Sequence, residues 1–472
     1  MPSICCCAVD SFDDEILANE TTWMNLLTAT GHNLWAVRHS LHSSSNTKCL
    51  LLPLNDTKKP RKSVQLVWDA STFEHDEEQG MDKMTVTSNS QLEKPRVRLP
   101  LTRCTGDVWG NHRPIVCSAL ANVPKLSLQA TKQVDWLSIL LLHRSEQTET
   151  GSNETPVPNH QPKILTVDLK QVIVEAAELW NRRLFVGDNN LITSSDEYQG
   201  LLRKATLEHW TEIRAMNKEQ GAVQKSLLKL EEALPWNHFS SNGSKWQYPD
   251  GGSSEKGLVQ ALFESGLQPE EATDNVVSAM IASLDAVQAM VFWTLWNLSR
   301  QQGAWERCLA IGEQQVQRDL LQLSIFKKQA TQGKTIQLKN PSFLVCALIE
   351  TVRVYPPVWT LPRISHNHEQ QAMPCKFEVL LNNCATNRQW DPSAWLEGGN
   401  SDHNKIASFG LGKRHCPAGT GGLYAAYELL RSFLKTCCKI DECQPDQALN
   451  YAYLGPTLCT HGPQLFQVTL RS

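Results

Sequence analysis

The sequence predicts a mainly α-helical protein with a small β-rich region (α+β), and three stretches indicate its helical part. Residues 274–300 contain neither Gly nor Pro, so they permit one helix of about 27 residues, roughly 40 Å long. That helix is apolar nearly all round, which predicts that it crosses the middle of the protein. Leu169–Val186 is a second helix, with Asp168 as its N-cap and Gly187 as its C-cap. Apolar residues also recur at helical spacing across residues 423–434.

The β-rich region is indicated by short apolar or alternating segments near both ends of the chain. These segments are Leu50–Leu54, Val64–Val67, Phe377–Leu381 and a closing hairpin around Phe466–Leu470. Polar stretches over residues 74–100, 146–163 and 236–257 predict loops. Residues 200–234 predict an amphipathic helical segment.

Composition places the chain among ordinary globular proteins. Of its 472 residues, 41% are hydrophobic and 20% are charged, and the net charge is -4. This balance gives no reason to expect a nucleic-acid partner. The 15 cysteines show no short-period framework, which favours free thiols in a reducing compartment.

The amino terminus carries no signal-peptide pattern, and no run of about 18 uncharged apolar residues occurs. We therefore expect a cytoplasmic or peripherally membrane-associated protein without a transmembrane anchor, whose residues 1–20 are disordered. Cys5, Cys6 and Cys7 are either acyl acceptors or part of an unmodified end.

A glycine-rich loop over residues 409–419 surrounds Cys416, with Arg414 two residues before the sulfur. Gly410 and Gly412 allow the backbone to turn tightly and to approach a flat group. Cationic neighbours favour the thiolate, which is the form that binds metal. The helix that follows would direct its first N–H groups toward the sulfur. The alternative is an inert cysteine in a turn.

Trp109 and Arg113 are four residues apart, so on a helix they share one face. Their N–H groups suit a carboxylate ligand, although the same spacing also fits an ordinary surface pair. Pro114 lacks a backbone N–H and predicts a helix that starts late or is distorted.

The central helix has one face of small side chains, spaced three and four residues apart. They are Ala279, Ala282, Ser283, Ala286 and Ala289. Such a stripe lets either a flat ligand or another helix approach the backbone. Asp285 argues against a membrane span, because a charge at the bilayer centre costs at least about 3 kcal/mol.

A third helix is predicted within residues 341–357, capped by Ser342 and ended by two prolines. Glu350 and Arg353 are three residues apart and can pair on one face. On an exposed face such a pair would contribute almost nothing to stability.

The pattern Phe-x-x-Gly-x-Arg-x-Cys-x-Ala at 409–418 resembles the haem-ligand loop of the cytochrome P450 family. The Trp109/Arg113, central-helix and Glu350/Arg353 motifs precede it in that family's order. The resemblance implies one P450-like domain over 1–472, with haem b between the central helix and the Cys416 helix.

The resemblance also implies roles for individual residues. Cys416 would bind the iron, and Glu350 and Arg353 would form a buried structural pair. The other haem contacts would be Trp109, Arg113, Ala282, Arg363, Phe409 and Arg414. Ser283, Asp285 and Ala286 fall where the family has its oxygen-activating signature.

This chain departs from the family's pattern at four positions. Ala418 and Ser283 stand where the family usually has Gly, and Ala286 stands where it has Thr. Ala394 stands where the family has an Arg that joins the buried pair. Arg388 or His403 are the candidates to substitute for it.

The resemblance implies a monooxygenase of secondary metabolism that inserts one oxygen atom from O2 into an apolar substrate. The chain shows no dinucleotide fingerprint, so electrons would come from a separate NADPH-dependent reductase or ferredoxin, and we expect a monomer. The alternatives are a peroxygenase, a hydroperoxide or endoperoxide isomerase, and a haem-binding protein without turnover.

Two surfaces follow from this interpretation. Residues 74–100, 200–245 and 358–361 would line the access route and the pocket. A basic docking surface for the redox partner, or a merely solvated face, is expected around the cysteine loop at Lys413, His415, Arg431, Lys435 and Lys439.

Overall fold

A computed structural model describes rather more than half of the chain. The described residues are 37–39, 48–53, 73–74, 106–144, 163–187, 240–242, 245–247, 257–309, 312–332, 334–358, 360–365, 377–382, 389–396, 406, 408–410, 412–443, 451–454, 457–460 and 463–471.

The architecture is mainly α-helical with small sheets, as the sequence predicts. The helices are α1 Gly106–Ala119, α2 Val123–Thr131, α3 Trp136–Leu142, α4 Leu169–Val186, α5 Leu258–Phe263, α6 Pro269–Arg300, α7 Ala304–Leu309, α8 Glu313–Thr331, α9 Phe343–Val354 and α10 Gly419–Thr436.

The strands form a five-stranded sheet, a three-stranded sheet and two hairpins among the described residues. They are β1 Val37–His39, β2 Lys48–Pro53, β3 Phe73–Glu74, β4 Ile164–Asp168, β5 Ser240–Asn242, β6 Lys245–Gln247, β7 Thr360–Ser365, β8 Phe377–Asn382, β9 Cys437–Glu442, β10 Tyr451–Leu454, β11 Thr457–Thr460 and β12 Leu465–Leu470.

The larger sheet has the order β1-β2-β8-β7-β3. Its β2 and β8 pair in parallel, with Lys48 opposite Phe377, so the sheet joins segments that are more than 300 residues apart. The predicted strands at Leu50–Leu54 and Phe377–Leu381 are confirmed within one or two residues. The strand predicted at 64–67 lies outside the described residues.

The central helix α6 has 32 residues and begins five residues earlier than predicted, at Pro269. Proline is compatible with a first helical position because its missing N–H has no partner there in any helix. Gln268 and Glu271 form a reciprocal capping box around this start. The predicted start at residue 274 was too late, because the prediction excluded proline from the helix.

Helix α6 lies in the core, where it packs against α4, α9 and α10. Trp293 of α6 stacks on Tyr355, at the end of α9, with ring centroids 4.6 Å apart and planes 4° from parallel. Among the described residues, α6 is the helix that is both long enough and apolar enough to cross a membrane. However, 61% of its most apolar window is buried inside the protein, as in the core helix of a globular domain.

Two predictions about strands were wrong. Residues 236–257 were expected to be loop, yet β5 and β6 pair as a hairpin with Ser240 opposite Gln247. The Gly-Ser pair at 243–244, between the two strands, is a two-residue hairpin signal that the loop prediction overlooked. Phe466–Leu470 does not form the closing hairpin either. It lies in β12, the middle strand between β4 and β9, while β10 and β11 make the hairpin.

The predicted positions of α4, α9 and α10 are confirmed, and so are the predicted caps of α4 and α9. Asp168 accepts the N–H of Lys170 at 3.1 Å, and Gly187 ends α4 with φ 77°. Ser342 accepts the N–H of Val345 at the start of α9. These caps fix where each helix begins, and hence where its side chains point.

Helix α1 differs from the expectation based on Pro114. It is continuous from Gly106 to Ala119, with Pro114 inside it. The ring of Pro114 removes the donor that the carbonyl of Gly110 would have used, but both residues are exposed, so that carbonyl can reach solvent.

Candidate haem-binding and active site

The cysteine loop is a tight turn closed by one backbone hydrogen bond. The N–H of Cys416 donates to the carbonyl of Phe409 at 2.7 Å, and Gly410 adopts φ 68°, where glycine is favoured. Ala418 has φ −100°, which any residue adopts, so this position does not require the family's usual Gly. The requirement falls on Gly419 instead, since a Cβ there would lie 2.8 Å from the Phe409 ring.

Cys416 lies just before the amino-terminal end of α10, and the residue as a whole is half-buried. Burial raises the pKa of the Cys416 thiol. The N–H groups of Ala418 and Gly419 and the charges of Lys327 and Arg113 act in the opposite direction. The expectation that the first N–H groups of the helix are directed toward the sulfur is confirmed.

Two other cysteines in the described part of the chain lack such N–H donors. Burial raises the pKa of Cys308 to about 12, and Cys437 is raised to about 12 by the same cause. A thiol held neutral in this way is a poor metal ligand, because the thiolate is the form that binds. Among the described cysteines, Cys416 has the arrangement of donors that best supports a ligand role.

The first and last motifs of the chain meet at this loop. Arg113 of α1 donates from Nη2 to the carbonyl of His415 at 2.6 Å, although the two residues are 302 positions apart. The guanidinium of Arg414 lies 4.7 Å from the Trp109 ring centroid, and that of Arg113 lies 5.9 Å from it. The side chains of Trp109, Arg113 and Arg414 therefore lie together at the cysteine loop. All three carry N–H donors, which suit a carboxylate-bearing ligand.

The small-residue stripe of α6 is its most exposed central part. Ala282 is exposed, and Ala279, Ser283, Asp285 and Ala286 are half-buried. Ala289, the last member of the stripe, is buried and begins a run of ten consecutive buried residues, 289–298. A flat group could therefore lie along this stripe without displacing the helix from the core.

Helices α6 and α10 contact each other close to both features. A Cβ on Gly422 would lie 3.7 Å from the Cε atom of Met290. Ala286 is one turn before Met290, and Cys416 is six residues before Gly422. The stripe thus lies on α6 and the sulfur lies just before α10, and these two helices pack together at this contact.

The hydroxyl of Ser283 is engaged at the interface with α4. It donates to the carbonyl of Met280 at 3.2 Å and accepts the amide of Asn181 at 2.8 Å. Asn181 is 0% exposed and also donates to the Met280 carbonyl at 3.0 Å, while its Oδ1 has no hydrogen-bond partner. Because the Met280 carbonyl can only accept a hydrogen bond, this contact fixes the orientation of the Asn181 side-chain amide.

Glu350 and Arg353 form a buried pair in α9. Glu350 is 0% exposed, and its two oxygens accept from Nη2 and Nε of Arg353 at 2.6 and 2.8 Å. Oε1 also accepts the backbone N–H of Asp391 at 2.9 Å, and Oε2 accepts the indole N–H of Trp395 at 2.9 Å. Arg353 donates in turn to the carbonyl of Gln389 at 2.9 Å.

Trp395 and a backbone N–H thus occupy the place expected for the family's third, arginine member at Ala394. Arg388 and His403, the two substitutes considered from the sequence, lie outside the described residues. Trp395 was missed because no fixed spacing links an indole to a distant carboxylate. The sequence signal that could have indicated Trp395 was its position directly after Ala394, where the chain departs from the family's pattern.

Lys327 was also missed. It lies on α8, is half-buried, and has the charge of Cys416 among the groups that affect its pKa. Arg363 lies in β7, where it is paired with Val379 of β8. Its side chain lies outside the described part of the structure. So do the predicted access segments 74–100 and 200–245, apart from the backbone of Glu74, 240–242 and Lys245.

The predicted basic docking surface is largely neutralised by acidic neighbours. Arg431 pairs with Glu428 at 2.7 Å, and Lys435 pairs with Glu313 at 2.8 Å. Lys439 pairs with Asp441 at 2.8 Å. These partners come partly from α8, so the sequence around the cysteine loop could not reveal them.

Comparisons with known proteins agree on one family. No family model matches the chain. It is 32% identical over 248 residues to cytochrome P450 71D8 of Glycine max, which covers 47% of this chain and 44% of that protein. It is 26% identical over 255 residues to cytochrome P450 84A1 of Arabidopsis thaliana, covering 46% of each.

A third relative is the mitochondrial cholesterol side-chain cleavage enzyme of Hypanus americanus, 23% identical over 172 residues and covering 34% of this chain and 31% of that protein. The matches span less than half the length of each of these relatives. Among solved structures, CYP175A1 from Thermus thermophilus superposes with a TM-score of 0.57 at 14% identity, covering 97% of both chains.

Proposed function

Because the chain is a divergent member of the cytochrome P450 family, we propose that it is a haem-thiolate monooxygenase with Cys416 as the iron ligand. It inserts one oxygen atom into an apolar organic substrate. The observation that carries the proposal is the meeting of Trp109, Arg113 and Arg414 at the cysteine loop.

The residues fit a haem in three respects. The Cys416 sulfur faces two N–H groups, which stabilise a thiolate. Trp109, Arg113 and Arg414 supply N–H donors for the propionates. The stripe centred on Ala282 offers a flat, uncluttered wall. Arg363 and Phe409 complete the proposed set of contacts.

The bound haem would supply the iron at which the oxidant is activated, and the protein supplies its environment. Cys416 would hold the iron as a thiolate, a ligand that supplies electron density to it. Arg113 and Arg414 would bind the carboxylates of the group, and the small-residue stripe would exclude water from the site. Asp285, adjacent to Ala286 in the sequence, is the proposed proton relay, because the Ser283 hydroxyl already donates to the Met280 carbonyl.

We further propose that electrons come from a separate NADPH-dependent reductase or ferredoxin, and that the cofactor is haem b. With Arg431, Lys435 and Lys439 in ion pairs, exposed Lys413 is left as the cation of the predicted docking surface for which the described residues show no ion pair. We also propose a monomer that is cytoplasmic or peripherally membrane-associated and acts in secondary metabolism.

A second candidate keeps the fold and changes the oxidant. Ala286 has no hydroxyl, and the Ser283 hydroxyl is engaged with α4. A peroxygenase, or an isomerase of a hydroperoxide or endoperoxide, needs no timed proton delivery to dioxygen. These two observations are the reason to keep it beside the monooxygenase; for a haem-binding protein without turnover, no specific contact argues.

The test is the absorption spectrum of the purified haem-loaded protein. Cys416→Ser should abolish the thiolate-type Soret band of the ferrous carbon monoxide complex. Cys117→Ser, which changes another half-buried cysteine close to the loop, should leave that band in place. Survival of the band in Cys416→Ser would refute the proposed ligand.

A further inference from the structure

Lys327 lies beside the cysteine loop without belonging to it. Its neighbour on α8, Phe326, is fully buried and packs edge-on against Phe409 with ring centroids 6.1 Å apart. That contact holds α8 against the loop. The Cε atom of Lys327 lies 3.3 Å from the place that a Cβ of Gly419 would occupy, and the N–H of Gly419 is directed at the Cys416 sulfur.

No carboxylate among the described residues pairs with this lysine. Burial lowers the pKa of Lys327, and the charges that act on it are those of Cys416, Arg113 and Cys117. The cations around α10 differ in this respect, since Arg431, Lys435 and Lys439 each contact a carboxylate within 3.3 Å.

A half-buried ammonium group without a counter-charge is costly, because it has lost part of its hydration. The Cys416 thiolate can supply that counter-charge. Arg113 adds a second cation but is committed to the carbonyl of His415. Within the described part of the chain, Lys327 therefore has no carboxylate to neutralise it, and its charge acts on the Cys416 sulfur.

A positive charge next to the ligand changes the energy of adding an electron to the iron. One-electron reduction by a redox partner, or by dithionite in a titration, adds one negative charge to the haem site and breaks no bond. A nearby cation stabilises the reduced form more than the oxidised form. Charge and hydrogen bonding around a ligating sulfur are known levers on reduction potential.

We propose that Lys327 is a positioning residue that raises the reduction potential of the haem by acting on the Cys416 thiolate. The inference rests on the proposed haem-thiolate function. It adds a residue from α8 to a site that the sequence motifs place only on α1, α6, the cysteine loop and the β7 strand.

The experiment compares three variants with the wild type by spectroelectrochemical titration of the haem-loaded protein. Lys327→Met keeps the length of the side chain and removes the charge. It should lower the equilibrium constant for reduction at least tenfold, which for one electron is about 59 mV. Lys327→Arg keeps the charge and should stay within threefold of the wild type. Lys328→Met removes an exposed charge from the next position of α8 and should have no effect.

An unchanged potential in Lys327→Met overturns the inference, and so does an equal shift in Lys328→Met. If Lys327→Met loads too little haem for a titration, Lys327→Gln carries the same test. The ferrous carbon monoxide spectrum separates the two proposals. A wild-type protein without a thiolate-type band refutes the proposed function and this inference with it. A normal band together with an unchanged potential refutes this inference alone.

Discussion

Replacing Trp395 with Phe tests whether an indole stands in for the missing arginine at the buried pair. Each oxygen of Glu350 has two donors: Oε1 accepts from Arg353 and the Asp391 N–H, and Oε2 accepts from Arg353 and Trp395. The substitution leaves Oε2 with one donor in a place where water does not reach, since Glu350 is 0% exposed and Trp395 is 3% exposed.

The expected cost follows from the charge of the acceptor. A hydrogen bond to a charged group contributes about 1.5–3 kcal/mol, against about 0.5–1.5 kcal/mol between neutral groups. Trp390→Phe provides the comparison, because the Trp390 indole donates to the neutral Thr351 hydroxyl on the same helix at 3.1 Å. We therefore expect Trp395→Phe to be the more destabilising change, by about 1 kcal/mol or more.

The measurement is the midpoint of urea unfolding, followed by circular dichroism at a common haem occupancy. A lower midpoint with an unchanged slope reports a change in the free energy of unfolding. Combining Trp395→Phe with Glu350→Gln should cost less than the sum of the two single changes, because both act on one contact. Equal effects of Trp395→Phe and Trp390→Phe, or full additivity in the double variant, would show that the indole does not stabilise Glu350.

Three further outcomes are expected. Glu350→Ala should leave Arg353 buried without its partner, at about 3–5 kcal/mol, and yield little haem-loaded protein; a variant that folds normally but loses turnover contradicts the structural role. Ala286→Thr should raise product formed per NAD(P)H consumed if dioxygen is the oxidant, whereas no gain, beside an intact peroxide-driven assay, favours the peroxygenase. Gly421→Ala should destabilise the protein by about 1–3 kcal/mol in thermal unfolding, because a Cβ there would lie 2.3 Å from Cγ1 of Val123. A gain in stability, which is the usual effect at an exposed helical glycine, would refute the close packing of α2 on α10.

The helices were predictable from the sequence because their signals are local. Asp168, Gly187 and Ser342 mark helix ends through side-chain caps and backbone conformation, which depend only on a few neighbouring residues. The start of α6 was misplaced because Pro269 fits the first turn of a helix as well as it fits a break.

The parts that could not be predicted depend on contacts across the fold. Nothing in the spacing of Lys327 and Cys416 indicates that α8 passes beside the loop. The acidic partner of Lys435 is Glu313, 122 residues earlier. The charges near the cysteine loop in the sequence therefore could not show that the predicted basic surface is neutralised. Sheet pairing is similarly remote: Phe466 lies opposite Val167 of β4 and Glu442 of β9, and for that reason the local hairpin predicted around Phe466–Leu470 was wrong.

The amide of Asn181 has a mechanical consequence for the longest helix. The Met280 carbonyl receives hydrogen bonds from both Asn181 and Ser283, in competition with the backbone N–H of the next turn. Side chains that enter the hydrogen-bond ladder of a helix are a recognised cause of bending. The carbonyls of Met290 and Trp293, in the tryptophan-rich part of α6, each receive one side-chain hydrogen bond, whereas the Met280 carbonyl receives two. We therefore expect α6 to bend between Met280 and Leu284 when a bulky ligand contacts Ala282.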